Sequence, residues 1–291
     1  MAESKLSEIV RAGVPQSDAH LVPVIEKELL HYDVLYAMEK LGLLEQLVFH
    51  GGTCLRLCYG AQRRSEDLDF AYDGNLEDLD LAGLESCVNE ALEKKYALKA
   101  VIRPPHKTAE LATAKMQRWW MVVDTAPERL DLPSQKLKIE LVAIKTFTKE
   151  VRRIARNYDY LVPSLGNTLA VCETLGEILT DKMVAFVNSP PTYVRNRDAW
   201  DMMFLLSQSE CNRSKALELV EKKKDVYGCS LSPEEFAQEG EKRVREVVGS
   251  PGFAKEMKRF MPEGVFEEML GTSMKQQFAI DEICKLYRGA V

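Results

Sequence analysis

Apolar positions in the first half of the chain follow helical spacing in some segments and strand spacing in others. Apolar residues recur three and four positions apart over residues 18–41, which predicts a helix that ends at Gly42. A second amphipathic helix is predicted over residues 76–95. Short apolar runs and two-residue alternation predict strands. The predicted strands cover residues 47–50, 68–72, 98–103, 118–124 and 136–142.

The second half of the chain has a different pattern. After about residue 147 the strand signals stop, and helical spacing covers residues 171–188, 196–208, 214–227 and most of the remainder. We therefore predict an α+β protein, in which a mixed sheet with flanking helices is followed by an all-helical C-terminal half. The expected domains are residues 1–160 and 161–291.

Composition narrows the class of protein without identifying it. The 291 residues are 46% hydrophobic and 29% charged, as expected for a globular protein. No apolar run approaches the ~20 residues needed to cross a bilayer, and the N-terminus lacks the features of a signal peptide. Seven scattered cysteines predict neither a disulfide framework nor a zinc site, so we expect a cytoplasmic protein. The net charge of −6 still allows a local basic face.

Two aspartates, Asp67 and Asp69, stand one residue apart in a predicted strand. Residues i and i+2 of a strand point the same way, so the two carboxylates project together while Leu68 and Phe70 face the core. Adjacent carboxylates repel one another unless a cation lies between them, and Mg²⁺ prefers such oxygen ligands. The alternative is a pair of solvated charges on an edge strand.

A glycine pair, Gly51 and Gly52, precedes these aspartates and opens the helix predicted over residues 53–59. Glycine lets a backbone approach a ligand closely, and Thr53 could cap the helix, whose N-terminus favours an anion. A plain strand-to-helix turn is the alternative. The cationic and hydroxyl side chains that could also reach phosphate oxygens are those of Arg63, Arg64 and Ser65.

The segment GGTCLRLCYGAQRRSEDLDF resembles the AbiEii/AbiGii toxin family, which includes the MenT toxins, within the nucleotidyltransferase superfamily. The resemblance covers most of residues 26–206. It implies a nucleotidyltransferase-like sheet and a metal-dependent enzyme that moves a nucleoside monophosphate from an NTP to the 3′ end of tRNA, with loss of pyrophosphate. It also implies a toxin with a cognate antitoxin encoded nearby. His50 departs from the lysine that the family often has before the glycines.

The family carries a third carboxylate on a neighbouring strand, and Glu140 is the best candidate here. It lies opposite the apolar side of its alternating strand, and an ordinary outward-facing glutamate is the alternative. Asp124 and Asp131 are the fallback candidates. The metal ligands implied by the resemblance are therefore Asp67, Asp69 and Glu140. The phosphate-binding residues implied by it are Gly51, Gly52, Thr53, Arg64, Ser65 and Lys182.

Lys182 lies in an apolar helical stripe, where a lysine must snorkel, be paired or act on a ligand. Together with RNRDAWD it resembles the family's K…RDxxD region. The resemblance implies that Lys182 binds the triphosphate and that Asp198 orients Lys182 or the nucleotide. The catalytic set is then Asp67, Asp69, Lys182 and Asp198. Asp201 could instead be a structural partner of Arg195 or Arg197.

Two basic clusters could hold an RNA acceptor. The first is predicted to be helical and contains Lys149, Arg152, Arg153 and Arg156, followed by Tyr158 and Tyr160. The second contains Lys115, Arg118, Trp119 and Trp120. Both could instead be solvated or partly core. Three other functions remain open: transfer to a small-molecule acceptor, nucleotide binding by a regulator without transfer, and a metal-dependent nuclease.

Overall fold

The computed structural model describes residues 4–105, 116–125, 134–159, 167–190 and 192–290. Its helices are α1 (Lys5–Gly13), α2 (Val22–Lys40), α3 (Leu43–Gln46), α4 (Gly51–Cys58), α5 (Leu84–Tyr96), α6 (Leu175–Asn188), α7 (Asn196–Ser207), α8 (Arg213–Tyr227), α9 (Pro233–Val247), α10 (Pro251–Lys258), α11 (Val265–Leu270) and α12 (Ser273–Arg288). Its strands are β1 (Val48–His50), β2 (Asp67–Ala71), β3 (Ala100–Arg103), β4 (Met116–Val123), β5 (Gln135–Val142), β6 (Lys149–Arg153) and β7 (Leu169–Glu173). Two short 3₁₀ turns cover Gln16–Leu21 and Leu76–Asp78.

The strands form one mixed sheet in the order β3-β4-β5-β2-β1-β7-β6. Strands β3, β4 and β5 form an antiparallel meander, whereas β2 runs parallel to β5 and antiparallel to β1. Strand β1 in turn runs parallel to β7. The predicted α+β class is thus confirmed, and the sheet brings β2 beside β5 although β3 and β4 lie between them in sequence.

The chain divides into two units, Met1–Cys172 and Glu173–Val291. The first unit contains nearly all of the sheet, and its core is built on the alternate residues of the central strands. Phe49 of β1 and Phe70 of β2 are fully buried and stack with ring centroids 4.9 Å apart. Helix α2 packs on α5 and β5. The apolar face of β2 is therefore held inside the unit, which fixes the orientation of its polar face.

The prediction that strands stop after about residue 147 is wrong. Strand β6 covers Lys149–Arg153 and occupies one edge of the sheet, and β7 follows before the first C-terminal helix. The error arose because β6 lacks an apolar alternation. Its outward residues Lys149, Val151 and Arg153 are exposed. On the other face Arg152 forms an ion pair with Glu150 and stacks its guanidinium on the ring of Tyr59, so that face makes polar contacts instead of packing in a hydrophobic layer.

The helix predicted from residue 171 begins four residues later, because β7 continues to Glu173. Thr174 is the N-cap of α6, and its side chain accepts a hydrogen bond from the backbone N–H of Glu177. The second unit is helical after that point, and α6 packs against α7 and α8 while α12 packs against α9. None of the helices among the described residues combines the length and apolarity that a membrane crossing needs.

Candidate active site

Three predicted carboxylates meet on the polar face of the sheet. In the parallel register of β2 and β5, Asp69 lies opposite Glu140 and Asp67 lies opposite Lys138. The intervening Leu68 of β2 is fully buried. The two-residue period of both strands therefore places Asp67, Asp69 and Glu140 side by side, and we call these three residues the carboxylate trio.

Two cations from the same sheet face, Lys138 and Arg118, partly offset the negative charge of the trio. The ammonium nitrogen of Lys138 lies 3.3 Å from a carboxylate oxygen of Asp67 and 3.3 Å from one of Glu140. The Nε atom of Arg118 donates a hydrogen bond of 2.9 Å to the same Glu140 oxygen. The sequence analysis did not predict Lys138 as a site residue, and the structure adds it to the site.

The pKa shifts follow from burial and from these charges. Burial raises the pKa of Asp69, and the nearby His50 and Lys138 only partly offset that effect. Burial also acts to raise the pKa of Glu140, but Lys138 and Arg118 outweigh it and lower the pKa. Burial acts to lower the pKa of Lys138, whereas Asp67 and Glu140 outweigh it and raise the pKa. Lys138 is therefore a cation at neutral pH.

The donor set of the trio suits a hard divalent ion. Three carboxylates converge, Asp69 is partly desolvated, and part of the balancing positive charge comes from the flexible side chain of Lys138. Mg²⁺ uses one or two carboxylates together with substrate phosphate oxygens and water. An ion bound here would compete with the ammonium of Lys138 for Asp67 and Glu140.

Gly51 has to be glycine for two reasons. Its φ of +75° lies in the left-handed region, and a Cβ built on it would lie 2.6 Å from the Oδ2 atom of Asp69. Helix α4 begins at this residue, as the sequence predicts. The first turn of α4 therefore lies directly against one carboxylate of the trio.

Gly52 faces a different pair of side chains. A Cβ on Gly52 would lie 2.6 Å from a guanidinium nitrogen of Arg63 and 2.9 Å from the hydroxyl of Ser65. Thr53 does not cap α4, contrary to prediction. His50 occupies the N-cap position, and the Thr53 hydroxyl instead donates a hydrogen bond to the backbone carbonyl of Asp67.

The structure places Arg64 in a buried ionic cluster. Its Nε atom lies 3.8 Å from Glu28, whose side chain is 1% exposed, and it also donates a 3.4 Å hydrogen bond to the hydroxyl of Tyr158. Arg56 pairs with the other oxygen of Glu28 at 3.0 Å. Of the two consecutive arginines, Arg63 is the one that lies against the glycine turn.

The polar face continues across β4 and β3 as a surface of cations and an aromatic ring. Trp120 lies opposite Lys138 in one direction and Arg103 in the other, and Arg118 lies opposite Glu140. The Trp120 side chain is 41% exposed, while Trp119 points to the other face beside Ile139. We call Arg103, Arg118 and Trp120 the β3–β4 surface.

The first predicted basic cluster is not helical. Lys149 and Arg153 point outward from β6, whereas Arg152 points to the other side and lies 3.1 Å from Glu150, with its guanidinium 4.6 Å from the Tyr59 ring centre. Arg156 follows the strand and is exposed. A strand sends alternate residues to opposite faces, so the four basic residues cannot share one surface. Lys115, Asp131 and Tyr160 lie outside the described residues, whereas Asp124 follows β4 and is exposed.

A separate ionic cluster lies within the second unit. The ammonium of Lys182 on α6 lies 2.8 Å from Asp198 and 3.0 Å from Asp201, both on α7, and Arg195 pairs with the second oxygen of Asp198. Burial acts to raise the pKa of Asp198, but Lys182 and Arg195 outweigh it and lower the pKa. Asp201 is thus a partner of Lys182, a pairing that the sequence did not indicate.

A comparison with known families decides the affiliation. A family model described as "Nucleotidyl transferase AbiEii toxin, Type IV TA system" matches residues 33–281. The chain belongs to this family. AbiEii proteins are the toxin nucleotidyltransferases of type IV toxin–antitoxin systems, which confirms the resemblance seen in the sequence.

Two solved structures from Helicobacter pylori are also similar to the chain. One is JHP933, with 16% identity and a TM-score of 0.47 over 91% of this chain and 90% of that one. The other is a putative nucleotidyltransferase, with 15% identity and a TM-score of 0.44 over 91% of this chain and 93% of that one. No curated protein matches the chain by sequence.

Proposed function

We propose that this AbiEii toxin transfers a nucleoside monophosphate from an NTP to the 3′ end of tRNA and releases pyrophosphate. The observation that carries the proposal is the meeting of the carboxylate trio with the first turn of α4, through the close approach of Gly51 to Asp69. A triphosphate and its metal require such a pairing of an anion-accepting helix start with hard oxygen ligands. The family supplies the reaction class.

In the proposed reaction the terminal hydroxyl oxygen of the acceptor attacks the α-phosphorus of the NTP. The bond between the α-phosphorus and the bridging oxygen breaks, pyrophosphate leaves with that oxygen, and the hydroxyl proton passes to a carboxylate of the trio. Mg²⁺ held by Asp67, Asp69 and Glu140 would neutralise phosphate charge and lower the pKa of the attacking hydroxyl. The backbone at Gly51 and Gly52, with Arg63 and Ser65, would hold the phosphate oxygens.

Lys182 and Asp198 keep the roles that the family resemblance implies, whereas Arg64 and Thr53 take structural roles. Lys182 would bind the triphosphate and Asp198 would orient Lys182, a proposal that the direct 2.8 Å contact between them supports. Arg64 would act indirectly, by fixing the segment between α4 and β2 through Glu28 and Tyr158. The Thr53 hydroxyl would tie the start of α4 to β2 through the carbonyl of Asp67.

The β3–β4 surface supports RNA as the acceptor. It adjoins the trio through Glu140, offers two arginines for the phosphate backbone and presents an exposed indole on which an unpaired base can stack. Lys149 and Arg153 on β6 would contribute a more remote backbone contact, because β6 lies three strands beyond β2 in the sheet. A cognate antitoxin is expected because the family belongs to toxin–antitoxin systems.

The test combines two labels with two forms of the acceptor. The purified chain is incubated with Mg²⁺, total tRNA and each NTP in turn, labelled at either the α- or the γ-phosphate. A parallel reaction uses tRNA whose 3′-terminal diol has been oxidised with periodate. We expect one NTP to transfer α-label to intact tRNA, its γ-label to appear only in pyrophosphate, and oxidised tRNA to receive no label.

Each other outcome rejects a defined part of the proposal. Equal labelling of oxidised tRNA would exclude the 3′ end as the acceptor. Pyrophosphate release without labelled RNA would indicate a small acceptor, and shortened RNA would indicate a nuclease. Nucleotide binding without any release of pyrophosphate would indicate a regulator that binds nucleotide and transfers nothing. An Arg118→Ala, Trp120→Ala variant should lose tRNA labelling through a higher KM for tRNA while NTP binding is retained.

A further inference from the structure

Three cysteines of the first unit converge although the sequence keeps them apart. The sulfur atoms of Cys54, Cys58 and Cys172 all lie within 4.8 Å of one another. Cys54 and Cys58 are one helical turn apart on α4, and Cys172 lies on β7, which runs beside β1 through the pair Phe49–Cys172. All three are free thiols. The prediction that no zinc site exists rested on the missing partner of Cys54 and Cys58, and Cys172 is the residue that completes the set.

The surroundings of the thiols favour a thiolate at the half-buried position. Arg152 lies near Cys58, and its positive charge favours a thiolate there. The position of Arg152 is fixed by its contacts with Glu150 and the ring of Tyr59. The convergence of three sulfur atoms is the arrangement that a metal bound by thiolates requires.

We propose that Cys54, Cys58 and Cys172 bind one soft metal ion of the zinc type. Tetrahedral Zn–S bonds of about 2.3 Å place sulfur atoms about 3.8 Å apart, so sulfurs that already lie within 4.8 Å need to close by at most about 1 Å. Cys54 and Cys172 are buried and Cys58 is half-buried, which leaves the fourth position on the side of Cys58 to solvent. The bound ion would tie the helix that follows the glycine turn to β7.

Binding should depend on pH in a defined direction. Cys54 and Cys172 are buried free thiols, and the Cys172 thiol donates a 3.6 Å hydrogen bond to the carbonyl of Ala170. Both thiols must lose their protons to become ligands, so binding releases protons and becomes tighter as the pH rises. This inference does not rest on the proposed transfer reaction.

The experiment uses Cd²⁺ as a probe, because its sulfur-to-metal charge-transfer absorption reports thiolate ligands and not carboxylates. The reduced, metal-free full chain is titrated with Cd²⁺ in an excess of Mg²⁺, and Zn²⁺ is then added to displace Cd²⁺. We expect one equivalent of Cd²⁺, complete displacement by Zn²⁺ and tighter binding at pH 8 than at pH 6. Cys58→Ser should weaken binding by more than about 100-fold, since losses beyond the direct ligands already cost 10–100-fold.

Cys87→Ser is the matched control, because Cys87 is also a half-buried thiol on a helix and lies outside the cluster. It should bind Cd²⁺ like the unchanged protein. Circular dichroism checks that Cys58→Ser is folded, and Cys58→Ala serves as a second variant. Absence of the charge-transfer band, or equal binding by Cys58→Ser and Cys87→Ser, would overturn the proposal.

Discussion

Lys138 shows how one side chain can hold the place of a bound cation. Its ammonium bridges Asp67 and Glu140 at 3.3 Å on both sides, so the free protein does not leave these carboxylates to repel one another. A metal ion that binds the trio must compete with this ammonium. In the proposed reaction the displaced ammonium would be available to stabilise charge on the triphosphate.

The first prediction concerns Lys138→Met. Removal of the competing cation should make Mg²⁺ bind more tightly to the free protein, while loss of the phosphate contact should slow pyrophosphate release by about 100-fold. Calorimetric Mg²⁺ titration and a pyrophosphate assay measure the two effects separately. Lys136→Met is the control, because Lys136 is exposed on the same strand and lies opposite Val122 in the register. Unchanged Mg²⁺ affinity in Lys138→Met would contradict the competition.

Asp198 gives a prediction about pH. Lys182 and Arg195 hold its pKa below the usual range in the folded state, so its contribution to stability is complete above the unfolded pKa of about 3.9 and is lost as the pH falls through the lower folded pKa. Asp198→Asn should lower the free energy of unfolding by about 2 kcal/mol. That difference should stay constant between pH 8 and pH 5 and should narrow only below about pH 4.

Urea unfolding of the two proteins at several pH values measures this difference. Asp225→Asn serves as the control, because Asp225 is exposed on α8 and should show no comparable loss. A difference that already shrinks between pH 7 and pH 5 would mean that the folded pKa of Asp198 is raised rather than lowered, which would contradict the ionic cluster.

At the scale of elements, β2 and β5 were the most predictable parts of the site. Their alternation fixes which side chains share a face, so the orientation of Asp67, Asp69 and Glu140 follows from the sequence alone. The pairing of β2 with β5 does not, because β3 and β4 intervene and strand order depends on non-local packing. The periodicity of the sequence could not indicate this pairing. The resemblance to a family with a third carboxylate on a neighbouring strand did.

Strand β6 shows where pattern analysis fails. Five residues with three cations carry no hydrophobic period, so their spacing is compatible with a helix as well as with a strand. Helix α8 presents the same difficulty. From the sequence alone, the three consecutive lysines 222–224 have the pattern of one solvent-exposed run. In the structure Lys223 is fully buried among three carboxylates, while Lys222 is exposed.

Lys223 therefore gives a prediction about the packing of α8 on α6. Its ammonium lies 3.2 Å from Glu173, 2.8 Å from Glu177 and 2.8 Å from Asp181. Lys223→Met would leave these carboxylates without their cation and should lower the free energy of unfolding by about 3–5 kcal/mol.

Lys222→Met is the matched control and should change the free energy of unfolding by no more than about 0.5 kcal/mol. Denaturant unfolding followed by circular dichroism compares the two variants. Equal stability of Lys223→Met and the unchanged protein would show that methionine packing replaces the ion cluster, and the cluster would then have no net stabilising role.

At the scale of the whole molecule, the chain joins a sheet-bearing unit to a helical unit, and the AbiEii family model extends across both. The family affiliation gives the reaction class, and the geometry of the first unit supports the proposed roles of particular residues. The proposed catalytic centre requires that the third carboxylate is Glu140 on β5 and not Asp124 after β4.

The most direct measurement is the rate of pyrophosphate release, with the accepted NTP and tRNA, for Glu140→Gln beside Asp124→Asn. Glu140 lies opposite Asp69 in the sheet register, whereas Asp124 is exposed beyond the end of β4. We predict that Glu140→Gln slows release by at least about 100-fold and that Asp124→Asn leaves it within about twofold. Unimpaired release by Glu140→Gln, or a larger loss in Asp124→Asn, would contradict a catalytic centre built on β2 and β5.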